Sequence, residues 1–431
     1  MTTAASTPDR HVHYAWVVAG VVFVTMLGAA GIRSAPGVLM VPLEKDLGWT
    51  RATVSLAVSV NLVLFGLMGP FAAALVDRFG ARRIVLTSLA LLAVGVSLTT
   101  RMTKPWQLVL LWGVLVGTGT GMMALATAAT IVNHWFTERR GLVMGLLTAS
   151  NATGQLVFLP VMAYVAEHAG WRATVALVAV GAALMIPVVF LWMRNRPADV
   201  GLRPYGESGA ASMAASPVRR NPAVTTLRVL ATGMRSGDFW LLFATFFICG
   251  LSTNGLIGTH LIPACIDAGI PEVHAAGLLA AMGIFDLAGT TLSGWLSDRW
   301  SNRHLLFWYY ALRGLSLMYL PFALDQVFFF GLSIFAVFYG LDWIATVPPT
   351  VRLTTDTFGK EDGGIMFGWI VAGHQIGAAT AALGAGTLRT MLGTYEQAFL
   401  IAGALCVLAA LLALRIGARA KRHERMAAAT A

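Results

Sequence analysis

Long apolar stretches alternate with short polar breaks along the whole chain. A helix needs roughly 20 apolar residues to cross the hydrocarbon core of a bilayer. Runs of that order lie near 14–40, 52–76, 84–100, 106–133, 141–164, 172–193, 237–262, 275–297, 304–323, 328–350, 364–387 and 397–416. The pattern predicts an all-α membrane protein of twelve transmembrane helices. Most breaks are brief and carry turn-forming or polar residues. The longest, 194–236, is rich in Arg, Pro, Ser, Gly and Ala. It reads as a linker between a six-helix bundle over 1–193 and a second over 237–431, which ends in a basic tail.

Composition agrees with this class. Only 12% of residues are charged, about half the share in a soluble domain. The 45 glycines suit helices that approach closely in lipid. Cys249, Cys265 and Cys406 form neither a CxxC pair nor a metal-ligand spacing, so neither a disulfide framework nor a metal site is expected. The polar first thirteen residues and the lack of a small-residue cleavage site suggest a retained first helix. The formal charge of +10 could point to nucleic acid, but its placement says otherwise. With twelve spans, 22 of the 30 Lys and Arg fall on the side of the termini and linker, six in the opposite loops, and Arg33 and Arg313 inside spans. The positive-inside rule then places both termini in the cytoplasm of a plasma (inner) membrane protein.

The two bundles are related. AALVDRFGARR between spans 2 and 3 holds Asp77, Arg78, Gly80, Arg82 and Arg83; GWLSDRWSNR between spans 8 and 9 holds Asp298, Arg299 and Arg303. Span 5 carries Gly141, Gly145, Asn151 and Gly154, and span 11 repeats that spacing as Gly364, Gly368, His374 and Gly377. Two matches at nearly one offset indicate duplication of a six-helix unit in parallel orientation.

The acidic–basic loop and its echo resemble the signature loop of the major facilitator superfamily. That resemblance implies Asp and Arg residues that latch neighbouring helices and gate the cytoplasmic side. The pattern departs from the family's at Ala73 and Ser301, where glycine is usual. Within the superfamily, HWFTERRGLVMG (His134 to Gly145) and the AWVV opening of span 1 resemble the monocarboxylate transporter and oxalate/formate antiporter group.

Ionisable residues within spans are costly unless paired or hydrated, so each is a candidate site. Arg33, in GIRSAP, resembles the cation on span 1 of the monocarboxylate transporters, which implies contact with a substrate carboxylate or a part in coupling. The alternative is an Arg snorkelling to headgroups about 10 Å from mid-span. Asp286, in GIFDLAG, resembles that group's span 8 aspartate, implicated in proton coupling. The Arg expected one turn later is Thr290 here. Arg313 on span 9 and Asp342 on span 10 also fall mid-membrane. They form either part of the coupling machinery or an ion network bracing the second bundle. Desolvation favours a protonated carboxyl and a nearby guanidinium an ionised one, so a carrier that alternately breaks such a pair can bind and release a proton.

His374 and Gln375 on span 11, Asn151 and Gln155 on span 5, Asn61 and Asn254 are candidate substrate ligands. Each could equally be an interhelical hydrogen bond. The GTGTG run (Gly117 to Gly121) lacks the strand-then-helix setting of a phosphate loop and reads as close packing. Phe307–Tyr310 reads as an interfacial aromatic belt. No cofactor motif, ATP site or nucleophile–base constellation is apparent, so an enzyme is not expected. The expectation is a secondary transporter of a small organic anion, a mono- or dicarboxylate, with a proton or counter-anion and without an obligatory protein partner. The competing readings are proton-driven export of an amphipathic or aromatic compound, and a membrane sensor or assembly partner on the same scaffold.

Overall fold

The computed structural model describes residues 13–207, 222–325 and 329–417. Among these, ten helices are long and apolar enough to cross a membrane. One of them, Arg140–Trp192, breaks at Gly170 into two spans, and Asn302–Asp325 supplies a further one. The twelve are α1 (Tyr14–Leu47), α2 (Arg51–Phe79), α3 (Ala81–Thr99), α4 (Pro105–Trp135), α5 (140–169), α6 (171–192), α7 (Gly237–Asp267), α8 (Glu272–Ser297), α9 (Asn302–Asp325), α10 (Gly331–Gly359), α11 (Glu361–Leu392) and α12 (Glu396–Ala413). The helix Pro222–Gly233 lies in the linker.

The duplication is visible in the turns and in the packing. Gly48 closes the α1–α2 turn and Gly269 the α7–α8 turn, at φ 66° and 80°. Gly170 and Gly393 do the same for α5–α6 and α11–α12, at φ 80° and 78°. This is left-handed backbone that a Cβ disfavours. A Cβ on Gly154 of α5 would sit 2.6 Å from the Leu27 carbonyl of α1, and one on Gly377 of α11 would overlap the Phe247 carbonyl of α7. The GTGTG glycines act likewise: Gly117 and Gly121 let α4 approach α2 at Asn61 and Met68, and Gly119 faces α3 at Leu92. In lipid, where no hydrophobic force drives helices together, such backbone contact supplies the packing energy.

Both ends of the described residues lie at one end of the bundle, here called the terminal face. Tyr14 Oη donates to the Trp192 carbonyl (2.7 Å), and the Gly417 amide donates to Asp238 Oδ1 (2.7 Å). The described parts of the linker lie on this face. Tyr205 pairs with the α4–α5 loop through Thr137 N–H to Tyr205 O and Tyr205 N–H to Trp135 O, both 2.8 Å.

Four features differ from the sequence reading. Helix α1 runs on to Leu47 through Pro36 and Pro42, which moves Arg33 to about 4 Å from mid-helix at a 1.5 Å rise. Arg51 is no loop residue; it opens α2 and is only 3% exposed. Tyr310 is fully buried against Arg313 instead of joining the aromatic belt, whereas Trp308 is exposed. Span 10 is not continuous: its helix stops at Asp342 and restarts at Val347. Its repeat partner α4 breaks at Met123–Ala124.

Candidate functional site

Where the two six-helix groups meet, a cavity of about 70 Å³ separates α1, α2 and α5 from α7, α8, α10 and α11. Arg33, Asn61, Gln155, Asn254 and Gln375 all line it, with Phe65 and Trp343 as its aromatic walls. The Arg33 guanidinium lies 4.8 Å from the Phe65 ring centroid. Asn61 donates to the Trp112 carbonyl of α4 (2.8 Å), so its amide also ties α2 to α4. His374 stands beside this lining and does not belong to it. Its Nε2 is 3.5 Å from Asn254 Nδ2 and its ring packs 4.8 Å from Phe246. The Asn151 side chain lies outside the described residues.

Asp286, Arg313 and Asp342 converge one layer behind the cavity, around the break in α10. Arg313 Nε donates to Asp342 Oδ2 (2.5 Å), and Nη2 donates to the Asp342 and Trp343 carbonyls (2.5 and 3.1 Å). These carbonyls end a helix and have no partner within it, so the guanidinium acts as their cap. Asp286 Oδ1 accepts from the Ile344 amide at 2.9 Å and from Thr290 Oγ1 at 3.0 Å. Thr290, which replaces the expected Arg, therefore still holds the aspartate, while the cation arrives from α9. Arg313 Nη1 also donates to Cys249 Sγ on α7 (3.0 Å). Trp343 belongs to both layers: its side chain lines the cavity and its carbonyl binds Arg313.

A second cluster, which no motif signalled, closes the end of the bundle opposite the terminal face. Arg51 of α2 donates to Asp267 Oδ1 of α7 (2.9 Å) and to Tyr395 Oη before α12 (2.8 Å), and reaches Glu44 of α1 at 2.5 Å. Asp267 is shared with Arg389 of α11 (2.7 Å). Tyr395 Oη lies 3.1 Å from His260 Nδ1. Burial pushes the Tyr395 hydroxyl up to about 12 despite the adjacent Arg51, so it stays protonated at neutral pH.

The α2–α11 contact loosens from this locked end toward the termini. A Cβ at Gly386 would overlap Ser55 Oγ; at Gly66 it would lie 2.5 Å from Gln375 Cβ; at Gly368 it would be 3.8 Å from Pro70 Cα. On the terminal face the signature loops make their polar contacts within each group. Asp77 approaches His134 of α4 (3.7 Å) and Asp298 binds Arg352 of α10 (2.9 Å), equivalent helices of the repeat. Gly80 at φ 86° turns the chain, and Asn195 Oδ1 accepts the Arg82 amide (2.9 Å). Arg82 also packs over Phe190, Arg78 over Phe79 and Arg299 over Trp295. Arg83 is exposed and Arg303 half-buried.

The sequence profile of the Major Facilitator Superfamily matches residues 21–343 and 242–429. The MFS-type transporter YcxA of Bacillus subtilis is 26% identical, over 91% of each chain. Monocarboxylate transporter 13 of Bos taurus is 28% identical, over 94% of this chain and 89% of its own. The MFS-type transporter YhjX of Escherichia coli is 29% identical, over 75% of this chain and 76% of its own. Among solved structures, a bacterial homologue of the human lysosomal transporter Spinster, in an inward-facing and unoccupied conformation, superposes with a TM-score of 0.73 at 14% identity. That match covers 94% of this chain and 97% of the other. This last likeness speaks for the fold alone.

Proposed function

The chain belongs to the Major Facilitator Superfamily, and on that premise we propose that it moves a small organic anion, a mono- or dicarboxylate, by alternating access. The observation that carries this reading is the company Arg33 keeps. One guanidinium shares a cavity with four side-chain amides, and no carboxylate is among the described residues that line it. A guanidinium recognises a carboxylate through paired, charge-assisted hydrogen bonds, and amides add neutral donors that fix orientation. The small volume favours a compact solute over an amphipathic one. The relatives named as monocarboxylate transporters lend the same support.

Coupling falls to the layer behind the cavity. One guanidinium there faces two carboxyl groups, Asp286 and Asp342. A buried set with that balance suits uptake of one proton. Trp343 would connect the events, since a solute pressing on it displaces the carbonyl that Arg313 caps. Access alternates by rocking of the two groups. Opening the locked end breaks the Arg51 contacts to Asp267 and Tyr395, and closing the terminal face brings the signature loops together. The surplus of basic residues on that face supports its assignment to the cytoplasm and the chain's to a plasma (inner) membrane.

The test is uptake of labelled mono- and dicarboxylates into proteoliposomes under an imposed pH gradient. Asp286→Asn should abolish gradient-driven uptake and spare counterflow; equal loss of both would give Asp286 a structural role. If no carboxylate moves in either direction, the organic-anion reading is wrong.

A further inference from the structure

The linker helix Pro222–Gly233 presents three different faces. Thr226, Val229 and Gly233 are buried against the protein. The Thr226 carbonyl accepts the Trp369 indole of α11 at 3.0 Å, and a Cβ on Gly233 would sit 2.6 Å from Met366. At 100° per residue, Leu227, Ala231 and Val224 follow around the helix in an arc of about 60°, and Met234 stands in the turn that ends it. All four are exposed, with Val224 at 49%, Leu227 at 51% and Met234 at 48%. Arg228 comes next, about 40° past Val224, and Arg235 stands in the turn just past the helix end; both are exposed.

Depth decides what covers the apolar arc. Helix α11 has 32 residues, about 48 Å at a 1.5 Å rise. A hydrocarbon core of about 30 Å leaves about 9 Å of it beyond each boundary. Met366 and Trp369 lie roughly 8 and 12 Å from its start at Glu361, so the linker helix is docked astride that boundary. Trp240, 48% exposed, donates its indole N–H to the Met234 carbonyl (2.9 Å) at the same level. Tryptophan with one wet and one apolar side collects at that depth.

We infer that the linker helix is an interfacial element that binds anionic phospholipid, its apolar arc in the acyl boundary and Arg228 and Arg235 on the headgroup phosphates. Charge complementarity selects the occupant: Arg228 borders the apolar arc on its one free side and Arg235 is exposed in the turn that follows the helix, as in helices that lie on anionic bilayers.

A bimane probe at Leu227→Cys reports the face directly, since Cys249, Cys265 and Cys406 are buried and labelling of the unaltered chain gives the background. Protein reconstituted in phosphatidylcholine–phosphatidylglycerol vesicles should show quenching by lipid doxyl-labelled near the headgroup and shielding from aqueous iodide. Quenching by iodide to the level of free dye puts the arc in water and overturns the inference. Shielding from both quenchers puts it against protein and overturns it equally. Native mass spectrometry should show phosphatidylglycerol retained in excess over phosphatidylcholine. That excess should fall about 5-fold for each of Arg228→Gln and Arg235→Gln, and survive the paired Arg→Lys variant. An undiminished excess in the double Gln variant defeats the headgroup assignment.

Discussion

Arg51→Met should open the end of the bundle that faces away from the termini. In the closed form Arg51 makes three polar contacts, of which only those to Asp267 and Tyr395 cross between the helix groups. The contact to Glu44 stays within the first group and survives opening. Asp267 keeps Arg389 when Arg51 is gone, so the substitution does not strand a buried carboxylate. Hydrogen bonds to a charged group contribute about 1.5–3 kcal/mol each. The lower figure applies here because both partners regain water on opening. Two such bonds amount to about 3 kcal/mol, a shift of roughly 150-fold toward the opened form. Val58 lines the cavity on α2. In a Val58→Cys chain, a membrane-impermeant maleimide supplied from the far side should react faster in Arg51→Met by about that factor, until the opened form predominates. Tyr395→Phe alone removes one crossing bond and should accelerate labelling about 12-fold. On top of Arg51→Met it should add little, because its remaining partner, His260, moves with it. Labelling rates within twofold of the parent in both single variants would refute the assignment of these bonds as the lock.

Three further outcomes follow from the geometry. Arg33→Gln should weaken carboxylate binding by roughly 10- to 100-fold, one charge-assisted bond, in counterflow with whichever anion the uptake screen returns; unchanged affinity would return Arg33 to a headgroup role. Gly377→Val places a branched side chain on the Phe247 carbonyl and should cost about 1–3 kcal/mol of overpacking, read as a lower thermal midpoint in detergent. Gly364→Ala, where a Cβ meets nothing within 4 Å, should be neutral or mildly stabilising; equal effects would mean that α7 and α11 do not touch. Arg313→Met should cost about 3–5 kcal/mol by leaving Asp342 unpaired, and adding Asp342→Leu should recover most of it; a single variant as stable as the parent would contradict the buried pair.

The sequence by itself determined the twelve spans, the duplication, the family and most of the polar residues that line the cavity. These signals are local or repeat along the chain. Hydropathy depends on each segment's own residues, and the offsets of Asp77/Asp298 and Gly154/Gly377 compare the chain with itself. An amide or Arg inside an apolar run is conspicuous wherever the helix ends up pointing. The break in α10 also left a trace: Pro348 and Pro349 stand in the first turn of a helix, where proline is welcome, and not in its interior. Only the tertiary structure decided which candidates share a compartment. It set Arg33 with the amides, His374 beside them, and the Asp286–Arg313–Asp342 cluster behind Trp343, because the rotation of each helix follows from packing against its neighbours. The Arg51 lock was the least legible. Its partners Asp267 and Tyr395 lie 216 and 344 residues away. Each alone looks like an ordinary loop charge or interfacial tyrosine, and burial at one point turns them into a bond between the two halves of the fold.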